Sequence, residues 1–181
     1  MISFPPALGF RSSERNHSIV VIDRPNMTNL GARNKRIYGA IASLEDLQNF
    51  CGNFGAAVGV TVTTFASNYE GAILEFIHKS AQSTDAYVIN PAGLTEGGVA
   101  TKHALVETGR PYVEVHFANI VAPPTAPRGL PIGPWQSTFS ASATGVMMGM
   151  REYSYSAAIL ALAMALDDKN FLGAELPTQP S

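Results

Sequence analysis

Short runs of β-branched and aromatic residues alternate along this chain with stretches whose apolar residues recur three and four positions apart. The runs are SIVVI at 18–22, VTVTTFA at 60–66, AYVIN at 86–90, YVEVHF at 112–117 and TGVMMGM at 144–150, and each predicts a strand. Helical spacing follows. Leu44, Leu47, Cys51, Phe54 and Val58 share one face, and Ser43, three residues before Asp46, opens that helix with a capping pattern. Similar spacing predicts helices over 70–80, 97–108 and 154–166. Strand alternating with helix points to an α/β fold, a parallel sheet covered on both faces.

Ligands of such sheets bind beyond the carboxyl ends of the strands. Asp23 to Asn26 follow the first strand, Asn90 ends the third and His116 ends the fourth, so the polar residues of interest gather on one edge. Two connections, 23–42 and 118–143, exceed the roughly 12 to 15 residues usual for an unstructured loop, which marks them as lids or binding loops. The second carries Pro123, Pro124, Pro127, Pro131 and Pro134, which exclude a continuous helix. No internal repeat is found.

The folded body is expected over 18–168 as one domain, because 181 residues, 46% of them hydrophobic, suffice for one substantial core. Residues 1–17 and 169–181, rich in proline and polar residues, read as loosely ordered extensions. A formal charge of −2 without any basic block offers nucleic acid or an anionic membrane nothing to grip, so a small-molecule substrate is expected. Cys51 is the only cysteine, which excludes an internal disulfide or a cysteine metal site and suits a cytoplasmic location. No run reaches the roughly 18 apolar residues of a membrane span.

Three islands carry more: PNMTNLGARNKRIYG at 25–39, VINPAGLTEGG at 88–98 and VEVHFAN at 113–119. In this order they resemble the type II 3-dehydroquinate dehydratases, and the resemblance runs from Val20 to about Ala165. It implies a flavodoxin-like three-layer sandwich with a five-stranded parallel sheet of order 2-1-3-4-5. It also implies a hydro-lyase that removes water from 3-dehydroquinate through an enolate, by anti elimination, to give 3-dehydroshikimate. Neither metal nor other cofactor is implied. Trimers assembling to a homododecamer are.

By that resemblance Tyr38 is the base. Arg33, five residues earlier, stabilises its phenolate, since a guanidinium nearby favours the ionised form. His116 is the acid for the departing hydroxyl and Glu114 its supporting carboxylate; residues i and i+2 of a strand share a face. Asn26 and Asn90 match the polar positions at the enolate oxygen and at ring hydroxyls or bound water, where an amide donates or accepts without changing charge. Ser67 to Gly71 match a string that opens the second helix and read as serving capping and assembly rather than chemistry.

The departures fall around the substrate. Glu96 stands where the family has a histidine, and His103 replaces an acidic residue often used across a subunit interface. Phe117 and Ala118 follow His116 without the usual serine, which leaves backbone N–H groups for the substrate carboxylate. The arginine-rich segment that normally follows is rebuilt as the proline-rich loop, in which Arg128 is the only basic residue and Ser137 the best match to a family serine. Asp23-Arg24-Pro25-Asn26 replaces Asn-Gly-Pro-Asn, so two side chains enter a corner normally given to glycine. Two alternatives stay open: the same Tyr38, Arg33 and His116 acting on another cyclic β-hydroxyketone or enolisable carbonyl compound, and a catalytically silent assembly protein.

Overall fold

The structure, a computed structural model, describes residues 10–168, 170 and 171. Five strands, β1 (Ser18–Asp23), β2 (Thr61–Ala66), β3 (Ala86–Asn90), β4 (Tyr112–His116) and β5 (Gly145–Met148), pair entirely in parallel in the order β2-β1-β3-β4-β5. The sheet is therefore the flavodoxin-like one expected.

Alternation along the central strands sorts side chains into two layers. Ile19 and Val21 of β1 and Val88 of β3 meet Leu47, Phe50 and Cys51 of α2 (Leu44–Ala57) and Tyr155, Ile159 and Leu162 of α5 (Tyr153–Asp167). Val20, Ile22, Tyr87 and Ile89 face the other way, onto Ile73 and Ile77 of α3 (Glu70–Ser80) and Ala104 and Leu105 of α4 (Val99–Glu107). Both faces are covered, which explains why β1 and β3 are apolar throughout rather than alternating.

Ser43 caps α2 as its spacing predicts, accepting from the Asp46 N–H at 3.0 Å. The Ser67–Gly71 string does something different: Tyr69 is the N-cap residue of α3 and gives no side-chain cap. Asn68 instead accepts the Asn26 N–H at 3.0 Å and donates to Thr28, pinning the loop after β1 to the start of α3. Part of the predicted N-terminal extension also packs. Arg11 bonds Asp167 of α5 at 2.8 and 2.9 Å and the Gly59 carbonyl at 2.7 Å, closing the amino-terminal edge of the sheet. Of the extensions expected over 1–17 and 169–181, residues 1–9, 169 and 172–181 lie outside the described residues.

Loop 23–42 is not structureless, for it contains a 3-10 segment (Met27–Ala32) and a single turn of helix, α1 (Lys35–Tyr38). Asn34 caps that turn by accepting from the Arg36 N–H at 2.9 Å. Among the described residues no helix is long and apolar enough to cross a membrane.

Replacing Ser43 by Ala removes the α2 cap and is expected to lower unfolding stability by about 1 kcal/mol. Chemical denaturation of both proteins checks this, with an unchanged midpoint counting against the cap.

Candidate active site

The carboxyl ends of β1, β3 and β4 and the two long loops enclose a cavity of about 70 Å³. Asn26, Arg33, Tyr38, Asn90, His116, Phe117 and Ala118 all line it, together with Thr95 and the apolar side chains of Ile120, Leu130 and Trp135. A larger cavity of about 870 Å³ lies elsewhere, between β5 and α5. It is mainly apolar, and its Asp167 is already held by Arg11 and His17, so the chemistry belongs to the smaller one.

Glu114 is wholly buried within β4, and Oε1 meets His116 Nε2 at 2.6 Å. The shared strand face predicted from the spacing brings the two together. Ser140 donates to the second carboxylate oxygen at 2.5 Å, and Ser137 also reaches Glu114. Burial pushes this carboxyl upward, but the hydrogen bonds from His116, Ser137 and Ser140 outweigh it and hold the group below its ordinary value.

Tyr38 ends α1 and is almost fully buried, tilted against Phe117 with ring centres 5.9 Å apart. The Arg33 guanidinium lies over its ring at 3.8 Å, an arrangement that suits a planar cation on an aromatic face. Burial raises the phenol's pKa and Arg33 lowers it, with burial the larger of the two. The stabilising cation expected from the sequence is thus in place, while the net shift is upward.

Asn26 takes up a left-handed backbone (φ 78°), which asparagine tolerates better than most residues. Its amide packs so closely on Gly93 that a Cβ there would lie 2.6 Å from Nδ2. Arg24, in the neighbouring corner, turns away from the cavity and is buried with its guanidinium bonded to Glu70 at 2.8 Å and over the Phe139 ring. Gly98 makes room for it, since a Cβ there would meet Arg24 Nη1 at 2.0 Å. The side chain entering the glycine corner is accommodated by a second glycine.

Four predicted substrate residues do not line this cavity. Glu96 and His103 are exposed, the latter on the outer face of α4. Ser137 accepts from the Phe139 N–H and serves Glu114. Arg128 donates to the carbonyls of Gly149, Arg36 and Phe117 at 2.8 to 2.9 Å, so its guanidinium staples the two loops to the strand ends. Conversely, sequence reasoning passed over Trp135, Leu130 and Ile120, whose only signal was apolar character inside a loop suspected of being a lid.

Beneath the cavity Asp23 is fully buried. Tyr155 Oη donates to it at 2.5 Å and Asn90 Nδ2 at 3.2 Å. Burial raises its pKa from 3.8 to about 6, against the lowering effect of those two hydrogen bonds. Among the described residues no group of three or more His, Cys, Asp and Glu is arranged to hold a metal ion.

Fold and site together define a doubly covered parallel α/β protein with a histidine–carboxylate pair and an arginine-stacked tyrosine converging at the carboxyl edge of its sheet. The chain belongs to the dehydroquinase class II family, whose model matches residues 17–163. It is 34% identical over 157 residues to catabolic 3-dehydroquinase 1 of Neosartorya fischeri, covering 86% of this chain and 98% of that one. The catabolic 3-dehydroquinase of Emericella nidulans is 35% identical over 147 residues, with 81% of this chain and 91% of the relative covered. Among solved structures, the type II dehydroquinase of Propionibacterium acnes superposes with a TM-score of 0.71 at 31% identity, covering 83% of this chain and 99% of that one.

The Asp23 carboxyl yields a signed stability prediction. Its folded pKa lies above the unfolded value, so the folded state keeps a proton that the unfolded chain releases between about pH 4 and pH 6, and stability falls as pH rises through that window. By pH 8 the buried charge costs about 3 kcal/mol. Asp23→Asn is therefore expected to be the more stable protein at pH 8, with the advantage shrinking towards pH 4; urea unfolding at both pH values reads this, and a less stable variant at pH 8 contradicts it.

Proposed function

We propose that this protein is a hydro-lyase that dehydrates 3-dehydroquinate to 3-dehydroshikimate by anti elimination through an enolate. The observation that carries the proposal is the convergence of Tyr38 under Arg33 and His116 on Glu114 into one cavity, beside two neutral amides, Asn26 and Asn90. Tyr38, as phenolate, takes the proton next to the ring ketone. A phenolate whose pKa is raised by burial is the stronger base, and Arg33 offsets part of the cost of ionising it. Asn26 faces the enolate oxygen, where a neutral donor stabilises developing charge. His116, steered by Glu114, delivers a proton to the departing hydroxyl.

Recognition of the substrate's carboxylate falls to the backbone around Phe117 and Ala118, because Ala118 brings no hydroxyl and Arg128 is committed to carbonyls. Asn90 meets a ring hydroxyl. Leu130 and Trp135 line the cavity and offer apolar packing to a six-membered ring.

The names of the fungal relatives support a catabolic role, in quinate breakdown, over biosynthesis in the shikimate pathway. We place the enzyme in the cytoplasm, which a free, buried Cys51 suits. A homo-oligomer, trimers forming a dodecamer, is supported by Val99 and Val106, apolar and exposed on α4 beside His103.

Incubation with 3-dehydroquinate is expected to produce the conjugated enone, followed by ultraviolet absorbance. Tyr38→Phe and His116→Ala should each lower kcat by about 10²- to 10⁴-fold. Absence of turnover by the unaltered protein rejects the proposal, and full activity in either variant rejects that residue's role.

A further inference from the structure

Asn90 lines the cavity, yet most of its hydrogen-bonding capacity is spent inside the protein. Nδ2 donates to Asp23 Oδ1 at 3.2 Å and to Tyr155 Oη at 2.7 Å, while Oδ1 accepts the Ala92 N–H at 3.1 Å. A carboxamide has two N–H hydrogens and two carbonyl lone pairs. Both hydrogens and one lone pair are accounted for. Only one lone pair of Oδ1 remains for whatever fills the cavity.

The amide has no tolerable flipped state. Exchanging its oxygen and nitrogen would set an NH₂ group against the Ala92 N–H and a carbonyl oxygen against the Asp23 carboxylate. Tyr155 Oη reinforces the choice, because its hydrogen is directed at Asp23 and only its lone pairs are left to face Asn90. All three side chains are buried, so water does not relieve a mismatch.

We propose that Asp23 and Tyr155 are positioning residues that lock Asn90 as a hydrogen-bond acceptor towards the cavity, so that this point of the site selects a ligand hydroxyl over a carbonyl or carboxylate oxygen. The inference rests on the function proposed above, in which the ligand is a hydroxylated ring acid. It assigns work to a carboxylate that stands where the sequence comparison expects an asparagine, and to a tyrosine that no motif marked.

Asp23 is faced by Tyr155 from α5, by Asn90 from β3 and by the Cys51 thiol from α2, with Arg33 acting on Tyr155 from loop 23–42. Among the described residues no cation pairs with it. Both bonds end on Asp23 Oδ1, so a proton taken up on Oδ2 near pH 6 leaves the acceptor of the lock in place.

Steady-state kinetics on 3-dehydroquinate test this with Tyr155→Phe, which keeps the ring and removes Oη, with Asp23→Leu, which removes the acceptor, and with Asp23→Asn, which keeps Oδ1. Tyr155→Phe and Asp23→Leu should each raise KM about tenfold and leave kcat within about twofold, the pattern of a lost binding contact. Asp23→Asn should keep KM within about twofold, because its Oδ1 still accepts from Tyr155 and Asn90. Unchanged KM in both Tyr155→Phe and Asp23→Leu, or a tenfold rise in Asp23→Asn, overturns the lock. A readout independent of turnover separates this from failure of the proposed activity. The infrared bands of the Asp23 carboxyl group, identified by their loss in Asp23→Asn, should shift in Tyr155→Phe, and bands left unshifted overturn the inference even if no substrate is turned over.

Discussion

A carboxylate with no access to water sits in the fourth strand of this sheet, and much of the site follows from the need to satisfy it. Glu114 is sealed between layers, where an unpaired charge would be prohibitive. His116 answers one oxygen and Ser140 the other. The first contact fixes the imidazole at the mouth of the cavity. The second, with Ser137, obliges the chain to come back to the sheet after its long excursion from Asn119, so the same charge that steers the histidine also anchors the far end of the loop.

The same logic of burial and compensation runs along the whole carboxyl edge. Asp23, Asn90 and Tyr155 satisfy one another under the floor, and Arg24 finds Glu70 and the Phe139 ring on the opposite face. Glu70 in turn accepts from the Thr101 hydroxyl at 2.9 Å, so one carboxylate joins the end of β1 to both helices of that layer. Arg128 joins the two loops by their carbonyls. The result is a site whose walls are held by polar groups that, Asn90 excepted, do not line the cavity, and whose inner surface is left to a few polar side chains and apolar contacts.

Strands and helices were legible in the sequence because their signals are local. Period-two runs and three-four spacing survive without knowledge of the partner element, and the Glu114–His116 pair needs only the pleat of one strand. Residues of the loops were another matter. The partners of Arg128 and Ser137, matched to the substrate by position in a motif, depend on how a proline-rich loop returns across the sheet, which no periodicity encodes. Arg33 shows a subtler limit: its place beside Tyr38 was predictable, whereas the larger effect of burial on the phenol depends on Phe117 packing against it. Arg24 fits its tight corner because Gly98, seventy-odd residues on, leaves the space for its guanidinium, a pairing that no local pattern encodes.

The central claim is that Tyr38 from the first loop and His116 from the fourth strand serve one ligand between them. A crystal structure with a stable cyclic hydroxy acid resembling 3-dehydroquinate tests it most directly. The account predicts a ring held between the Tyr38 hydroxyl and the His116 imidazole, with Glu114 still bonded to His116 and Leu130 and Trp135 packed against the ligand. A ligand bound elsewhere, or one that contacts His116 while Tyr38 faces solvent, would contradict it.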